Sequence, residues 1–266
     1  MTRRTVLASS AALALVSARP VWATSSDFDA TVADVRDRLT RFHQDQGLAA
    51  RAPGSLVTDR PDINGGLRYD DSDVLDGYGI FVSQPAARIE DAAEKGRAGV
   101  LPLFEIFAGR GAENGAAGTT VNRCVDVIVD VLQLDPDRIA FVSTPDFYRV
   151  SPFLEQRGLI RPDNVSYREP AAARAAANGS GYFQAPGSDR GFWTAGMYYA
   201  LNDDPGPVQD GAGTGWIEIG EFSIEGEREP SYGFGLERLA MALTGDMPSW
   251  QDREPMLQAR IAAERG

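Results

Sequence analysis

The chain has 266 residues, of which 43% are hydrophobic, enough for one large domain or two small ones with a sizeable core. Its formal net charge of −12 argues against a general nucleic-acid-binding surface, which would need clustered lysine and arginine. The single cysteine, Cys124, excludes an internal disulfide and a multi-cysteine zinc site. The single histidine, His43, argues against a histidine-based metal site or a Ser/His/Asp triad. We therefore expect any enzymatic chemistry to depend on arginine, glutamate and aspartate.

Residues 1–26 are predicted to form a separate N-terminal segment, either a signal-like sequence or a disordered extension. The stretch from Met1 to Ala23 contains the pair Arg3-Arg4 and an apolar run from Val6 to Val16, which resembles a twin-arginine secretory signal. The alternative is an upstream extension of a protein that stays in the cytoplasm. No other apolar run is long enough to span a membrane.

The first half of the remaining chain alternates helical and strand patterns. A helix is predicted to begin after Asp27 and to end at Gly47, because apolar residues recur at helical spacing. Residues 79–83 and 101–107 are strand candidates, separated from that helix by a loop rich in proline and glycine. A second helical stripe ends at Asp135-Pro136; its apolar residues are Val121, Val125, Ile128 and Leu132.

The second half continues the same alternation. Residues 139–143 read as a buried strand, residues 171–177 as a helix or surface insertion, and residues 202–215 as an exposed loop. Residues 216–224 are a strand candidate that leads to a final helix, which Gly233 and Gly235 are expected to open and Pro248 to close. Residues 251–266 are predicted to be a charged, frayed tail. These patterns predict one α/β or α+β domain over residues 27–250.

Three segments carry candidate chemistry: residues 83–90, residues 103–107 and residues 216–238. Together they suit a metal-bound triphosphate. Glycines expose bare backbone at a helix N-terminus whose dipole is positive, and Arg238 in the following turns adds a planar cation. We expect Arg88 to grip the α-phosphate of ATP, Arg238 the γ-phosphate and Glu218 a Mg²⁺ ion, while Phe104 stacks on the adenine. The alternatives are ordinary salt bridges for the arginines, a core position for Phe104 and Trp193, and a solvated strand face for Glu218 and Glu221.

In this order the segments resemble the catalytic domain of class II aminoacyl-tRNA synthetases, specifically the alanyl-tRNA synthetase type, from about Asp27 to Leu243. Ser83 to Arg88 resembles the start of the second class motif, Trp216 to Ile224 the acidic strand, and Gly233 to Ala240 the third motif. The resemblance implies an α+β fold, an antiparallel sheet flanked by helices, that converts an amino acid and ATP into an aminoacyl-adenylate. It also implies an ATP site made of Arg88, Phe104, Glu105, Glu218 (with Mg²⁺), Gly235 and Arg238. The implied amino acid site consists of Trp193, Gly220, Glu221, Ser231 and Gly233.

Departures from the family pattern concern the amino acid. Ser231 stands where the family has the aspartate that holds the substrate amino group, and Gly220-Glu221 stands where it has Trp-Asn. A serine cannot balance a buried ammonium, so Glu221 is expected to do so from the neighbouring strand. Gly220 is expected to enlarge the pocket. We therefore expect an amino acid other than alanine, or alanine presented differently.

The acyl acceptor and the partners stay open at this point. Because the charge is −12, we expect the acyl group to pass to a small molecule, a carrier protein, or a tRNA held by a partner protein. The resemblance implies a homodimer. The alternative function is a non-catalytic synthetase paralogue that binds a ligand or partner, which the departures and the export-like N-terminus favour. Retention of Arg88, Glu218 and Arg238 favours the enzyme, and its use of ATP favours the cytoplasm.

Overall fold

The computed structural model describes residues 25–57, 77–97, 99–111, 117–176, 178–184, 191–208, 215–224 and 231–265. The predicted signal-like segment lies outside the described residues, apart from its last two positions. In the described ranges, no helix has both the length and the apolar character needed to cross a membrane.

The described elements are helices and strands that alternate along the chain. The helices are α1 (Ser25–Asp45), α2 (Ala117–Val125), α3 (Ser151–Gln156), α4 (Pro170–Ala176), α5 (Leu236–Thr244) and α6 (Trp250–Arg265). The strands are β1 (Ala49–Ala50), β2 (Ile80–Ala87), β3 (Leu103–Arg110), β4 (Ile139–Ser143), β5 (Val165–Tyr167), β6 (Asn178–Gly179), β7 (Tyr182–Gln184), β8 (Gly191–Ala200), β9 (Trp216–Ser223) and β10 (Ser231–Gly235).

The strands form one mainly antiparallel sheet. Its order is β1-β2-β3-β10-β9-β8-β4-β5, and the hairpin β6–β7 pairs with β8. Every neighbouring pair from β2 to β4 in this order is antiparallel, while the outer pairs β1–β2 and β4–β5 are parallel. The prediction of an α+β fold with an antiparallel sheet flanked by helices is confirmed.

One face of the sheet packs against α1, α2 and α5 and forms the main hydrophobic core. The apolar stripe of α1 is buried as its spacing predicts, with Val35 and Leu39 fully enclosed. Alternate residues of the central strands meet these helices, among them Phe107, Phe222 and Phe234. The opposite face, which carries Phe104, Thr194, Glu221 and Gly233, is called the site face below.

The single histidine anchors β10 to α1 within this core. His43 Nδ1 lies 2.6 Å from the Leu39 carbonyl oxygen, and Nε2 lies 2.5 Å from the Tyr232 hydroxyl. Burial lowers the pKa of His43 to about 4, so the ring is neutral at physiological pH. A side chain on Gly109 would collide with the Tyr232 ring, so glycine there leaves room for the anchor. His43 therefore fixes the strand that carries the glycines of the site face.

The sequence and the structure differ where the last helices begin and end. Gly233 lies within strand β10 rather than at a helix start, because Ser231–Gly235 pairs with β3 on one side and β9 on the other. Gly235 is both the last residue of β10 and the N-cap of α5, so the helix begins directly after it, as predicted. Helix α5 ends at Gly245, whose φ of +79° gives a left-handed cap, and not at Pro248.

Residues 250–265 form helix α6 and are not a frayed tail. Ser249 and Asp252 cap its start reciprocally: the Asp252 amide donates to Ser249 Oγ, and the Ser249 amide donates to Asp252 Oδ2. Trp250 and Leu257 are buried, which ties the helix to the rest of the domain.

Candidate functional site

A cavity of about 140 Å³ opens on the site face of the sheet, between β3, β10, β9 and β8. The start of α5 and the segments that flank β3 complete its walls. Nine of the eleven residues predicted to form the site line it: Arg88, Phe104, Glu218, Gly220, Glu221, Ser231, Gly233, Gly235 and Arg238. Segments that are up to 150 positions apart in the chain therefore converge at one place.

A β-bulge in β9 brings two carboxylates to the cavity. Met197 pairs with Gly220 and Tyr198 pairs with Glu218, so Ile219 has no partner of its own in the ladder. In a regular strand, residues three apart face opposite sides of the sheet. The extra residue places Glu218 and Glu221 on the same face, while Ile219 is buried in the core on the other.

Arg238 is held at the wall of the cavity by three acceptors. Its Nε donates to the Gly99 carbonyl oxygen at 3.1 Å, and Nη1 donates to Glu218 Oε2 at 2.9 Å and to the Glu218 carbonyl oxygen at 3.3 Å. Both side chains of this ion pair are about a quarter exposed. In the described part of the chain Nη2 makes no hydrogen bond, so one end of the guanidinium remains able to donate to a ligand.

Arg88 and Phe104 form a second pair in the lining of the cavity. Phe104 is opposite Ala86 in the β2–β3 ladder, and Arg88 follows the end of β2. The Arg88 guanidinium carbon lies 5.3 Å from the centre of the Phe104 ring, which is a cation–π contact. A fixed positive charge and an aromatic surface therefore meet at the mouth of one cavity.

Glu221 is the most perturbed acid at the site. Its Oε2 is buried and has no hydrogen-bond partner in the described ranges. Burial, and next the nearby Glu218 charge, raise the Glu221 pKa to about 8; Arg88 and a hydrogen bond with Thr194 act in the other direction. The turn of the β6–β7 hairpin causes the burial, since a Cβ on Gly179 would lie 2.6 Å from Oε2. Glu221 therefore holds a proton near neutral pH until a cation approaches it.

Two glycines of the cavity lining, Gly233 and Gly220, differ in what their missing side chains allow. A Cβ on Gly233 would have no atom nearer than 4.0 Å, so that glycine leaves open space in the cavity. A Cβ on Gly220 would collide with the Gly233 carbonyl oxygen and lie 2.7 Å from Phe234 Cδ1. The expectation that Gly220 enlarges the pocket is wrong, because glycine there permits the close packing of β9 on β10.

Two of the eleven predicted residues face away from the cavity. Glu105 points to the helix side of β3, where Arg36 Nε donates to its Oε1 at 2.7 Å and Ser83 Oγ donates to the same oxygen. Trp193 also lies on the opposite side of its strand, and the Arg174 guanidinium carbon lies 5.0 Å from its ring centre. Both make structural contacts in this arrangement.

Several residues that line the cavity were missed by the sequence reasoning: Asp91, Ile106, Phe183, Phe192, Thr194 and Ser223. Three of them follow from the period of two in a strand, because Ile106 shares a face with Phe104, and Phe192 shares one with Thr194. The alternation of strand residues alone therefore indicates these three residues.

A free-standing metal centre is absent from the described residues, where no group of three or more histidine, cysteine, aspartate and glutamate side chains could hold an ion. Two carboxylates, Glu218 and Glu221, face the cavity. Mg²⁺ is commonly bound by one or two carboxylates together with substrate phosphates and water. The donor set therefore fits a Mg²⁺ ion that arrives with a phosphorylated ligand.

No protein-family model matches this chain, and no curated protein sequence is similar to it. Among solved structures, its fold is similar to that of apo S. aureus histidyl-tRNA synthetase, with 11% identity and a TM-score of 0.42 over 87% of this chain and 70% of that one. It is also similar to Entamoeba histolytica asparaginyl-tRNA synthetase, with 11% identity and a TM-score of 0.37 over 84% of this chain and 64% of that one. The alanyl-tRNA synthetase type stays a prediction.

Proposed function

We propose that this protein activates an amino acid with ATP, forming an aminoacyl-adenylate and releasing pyrophosphate. One observation carries the proposal: the Arg88–Phe104 pair and the Arg238–Glu218 pair line the same cavity, although they come from four separate segments. Two separated cations beside an aromatic ring suit a nucleoside triphosphate. The open backbone at Gly233 supplies the space for a ligand.

In this reaction the substrate carboxylate attacks the α-phosphorus of ATP, and the bond from that phosphorus to the bridging oxygen of the β-phosphate breaks. Arg88 would hold the α-phosphate, and Arg238 the γ-phosphate through its Nη2 end. The Phe104 ring would take the adenine. The step needs positioning and neutralisation of charge more than a protein nucleophile, which suits a site built from arginines and carboxylates.

Glu218 is the residue proposed to hold Mg²⁺ at the phosphates. Such an ion would neutralise the charge that develops on the leaving pyrophosphate. Glu218 also positions Arg238, since its Oε2 accepts from Nη1 at 2.9 Å. It is therefore proposed to connect the cation site to the arginine that grips the end of the triphosphate.

Glu221 is proposed to receive the ammonium group of the amino acid. The buried Oε2 of Glu221 has no hydrogen-bond partner in the described ranges, and an ammonium group would supply both a donor and a compensating charge. Ser231 also lines the cavity, but its hydroxyl carries no charge to balance an ammonium. The amino acid carboxylate would then point towards Arg88 and the α-phosphate.

The direct test is exchange of labelled pyrophosphate into ATP, measured across the amino acids with and without tRNA. At least one amino acid should support exchange without tRNA, and omission of Mg²⁺ should abolish it. If no amino acid supported exchange although nucleotide bound, the non-catalytic ligand-binding paralogue would be the better reading. The acceptor (tRNA, carrier protein or small molecule) and homodimer formation would be tested afterwards with the amino acid that exchange identifies.

Replacing Gly233 with valine should block the site without unfolding the protein. The new side chain would extend into the open cavity, because no atom lies within 4.0 Å of the position of its Cβ. We expect the melting temperature to stay within a few degrees of wild type. The further rise in melting temperature that the amino acid causes in the presence of ATP should disappear, since the valine methyl groups occupy the space beside Glu221.

Gly220→Ala is the matched control for this experiment. Its Cβ would collide with the Gly233 carbonyl oxygen, so this variant should lower the melting temperature without ligand. A Gly233→Val protein that retained the full amino-acid-dependent shift would contradict the placement of the amino acid over β10.

A further inference from the structure

Three hydroxyl side chains form a row across adjacent strands at the inner end of the cavity. Thr194 of β8 is directly opposite Ser223 of β9. Tyr232 is opposite Phe222, which places Ser231 of β10 on the other side of Ser223. All three side chains line the cavity and are at least nine-tenths buried. We call Thr194, Ser223 and Ser231 the hydroxyl row.

Ser223 is the member of the row with unused hydrogen-bonding capacity. It is 2% exposed, and its Oγ has no hydrogen-bond partner in the described ranges. Thr194 differs, because its Oγ1 accepts from the Gly181 amide at 3.3 Å and also bonds to Glu221. A buried hydroxyl without a partner costs stability, so its presence in a binding cavity points to a ligand that completes it.

The row lies next to the carboxylate proposed for the ammonium group. Glu221 and Ser223 are two positions apart on β9, so they face the same side about 7 Å apart along the strand. Glu221 is flanked across the ladders by Gly196 and Gly233. Ser180 covers Gly196, whereas the position of a Cβ on Gly233 has no atom nearer than 4.0 Å, so a ligand can lie against the sheet on the Gly233 side. An amino acid whose nitrogen lies at Glu221 can therefore place a short side chain at Ser223.

We propose that the amino acid activated here has a short polar side chain, with a hydroxyl or amide group that hydrogen-bonds Ser223 Oγ. This inference rests on the proposed function and assigns its substrate class. Phe183 and Phe192 also line the cavity and limit its size, which disfavours long side chains. Alanine would occupy the same space but leave the Ser223 hydroxyl without a partner.

Pyrophosphate exchange with matched amino acids tests the proposal: serine against alanine, threonine against valine, and asparagine against leucine. We expect the polar member of at least one pair to have a kcat/KM at least about tenfold higher, because a site that hydrogen-bonds a substrate group rejects the analogue without it. Ser223→Ala should bring that ratio close to one, because kcat/KM for the polar member falls when its hydrogen-bond partner is removed. A melting temperature close to that of wild type shows that the variant folds.

Ser166→Ala is the control, since Ser166 lies on strand β5 outside the cavity lining and its loss should leave the ratio unchanged. Exchange that favours the apolar member of every pair, or a ratio that Ser223→Ala does not alter, would overturn the inference while leaving amino acid activation in place. If no amino acid supported exchange, the proposed function would fail. Calorimetric binding of serine and alanine would then decide the assignment of Ser223, and equal affinities would refute it.

Discussion

Replacing Arg238 with alanine should lower the rate of amino acid activation by at least about 100-fold, the usual effect of removing one group that stabilises transition-state charge. Its guanidinium is fixed by the Gly99 carbonyl oxygen and by Glu218, so it needs no reorganisation when a triphosphate arrives. We expect kcat for pyrophosphate exchange to fall more than the affinity for the amino acid, because the proposed contact is to phosphate.

Two further variants separate this catalytic effect from a loss of structure. Arg238→Lys keeps the charge but loses the planar fork, so it should recover part of the activity and not all of it. Arg149→Ala removes an arginine whose side chain is half exposed and paired with Asp146, outside the cavity lining, and should leave exchange unchanged. Full exchange activity in a folded Arg238→Ala protein would remove Arg238 from the proposed mechanism.

The alternation of strands explains which site residues the sequence could identify. Phe104 and Glu105 are neighbours in β3, and Phe192 and Trp193 are neighbours in β8. A resemblance to a family marks the right place in the chain but does not say which of two neighbouring residues faces the ligand. A period of two then forces one member of each pair into the cavity and the other towards the helices.

Two features of the site depend on tertiary contacts that local sequence does not record. The bulge at Ile219 changes which residues of β9 share a face, and it is visible only once β8 is paired with β9. Gly233 precedes a helix start in the sequence, yet it lies between two strands that satisfy its backbone groups, and only Gly235 caps the helix. Pairing with distant segments therefore decided both outcomes.

The site residues that the sequence indicates most clearly are the charged ones, because charged side chains are scarce in protein interiors. Arginines and glutamates are seldom placed among apolar residues without a partner, so Glu218 and Arg238 within apolar segments indicated a pair or a ligand. The structure joins these two side chains at 2.9 Å. The hydroxyl row gave no such signal, because serine and threonine are common in strands and loops alike.

Replacing Glu221 with glutamine should make the protein more stable at alkaline pH than the wild type. Burial raises the pKa of Glu221 from its ordinary 4.5 to about 8 in the folded state, so folding favours the protonated acid. This contribution to stability is complete below about pH 4.5 and is lost as the pH rises through about 8. A shift of this size corresponds to about 5 kcal/mol at most. Glutamine keeps the shape and has no proton to lose.

Urea unfolding between pH 5 and pH 9 measures the free energy of unfolding of both proteins. In the difference between the two values, the contributions of titratable groups common to both proteins cancel. The free energy of unfolding of Glu221→Gln relative to wild type should rise steadily with pH and level off above about pH 8. Glu237→Gln provides a comparison, since burial raises the pKa of Glu237 to about 7, and its gain should therefore level off about one pH unit earlier. A difference between Glu221→Gln and wild type that stayed constant with pH would show that Glu221 is charged in the free protein. The ammonium group of the substrate would then meet a carboxylate that is already ionised, and amino acid binding would need no loss of a proton from Glu221.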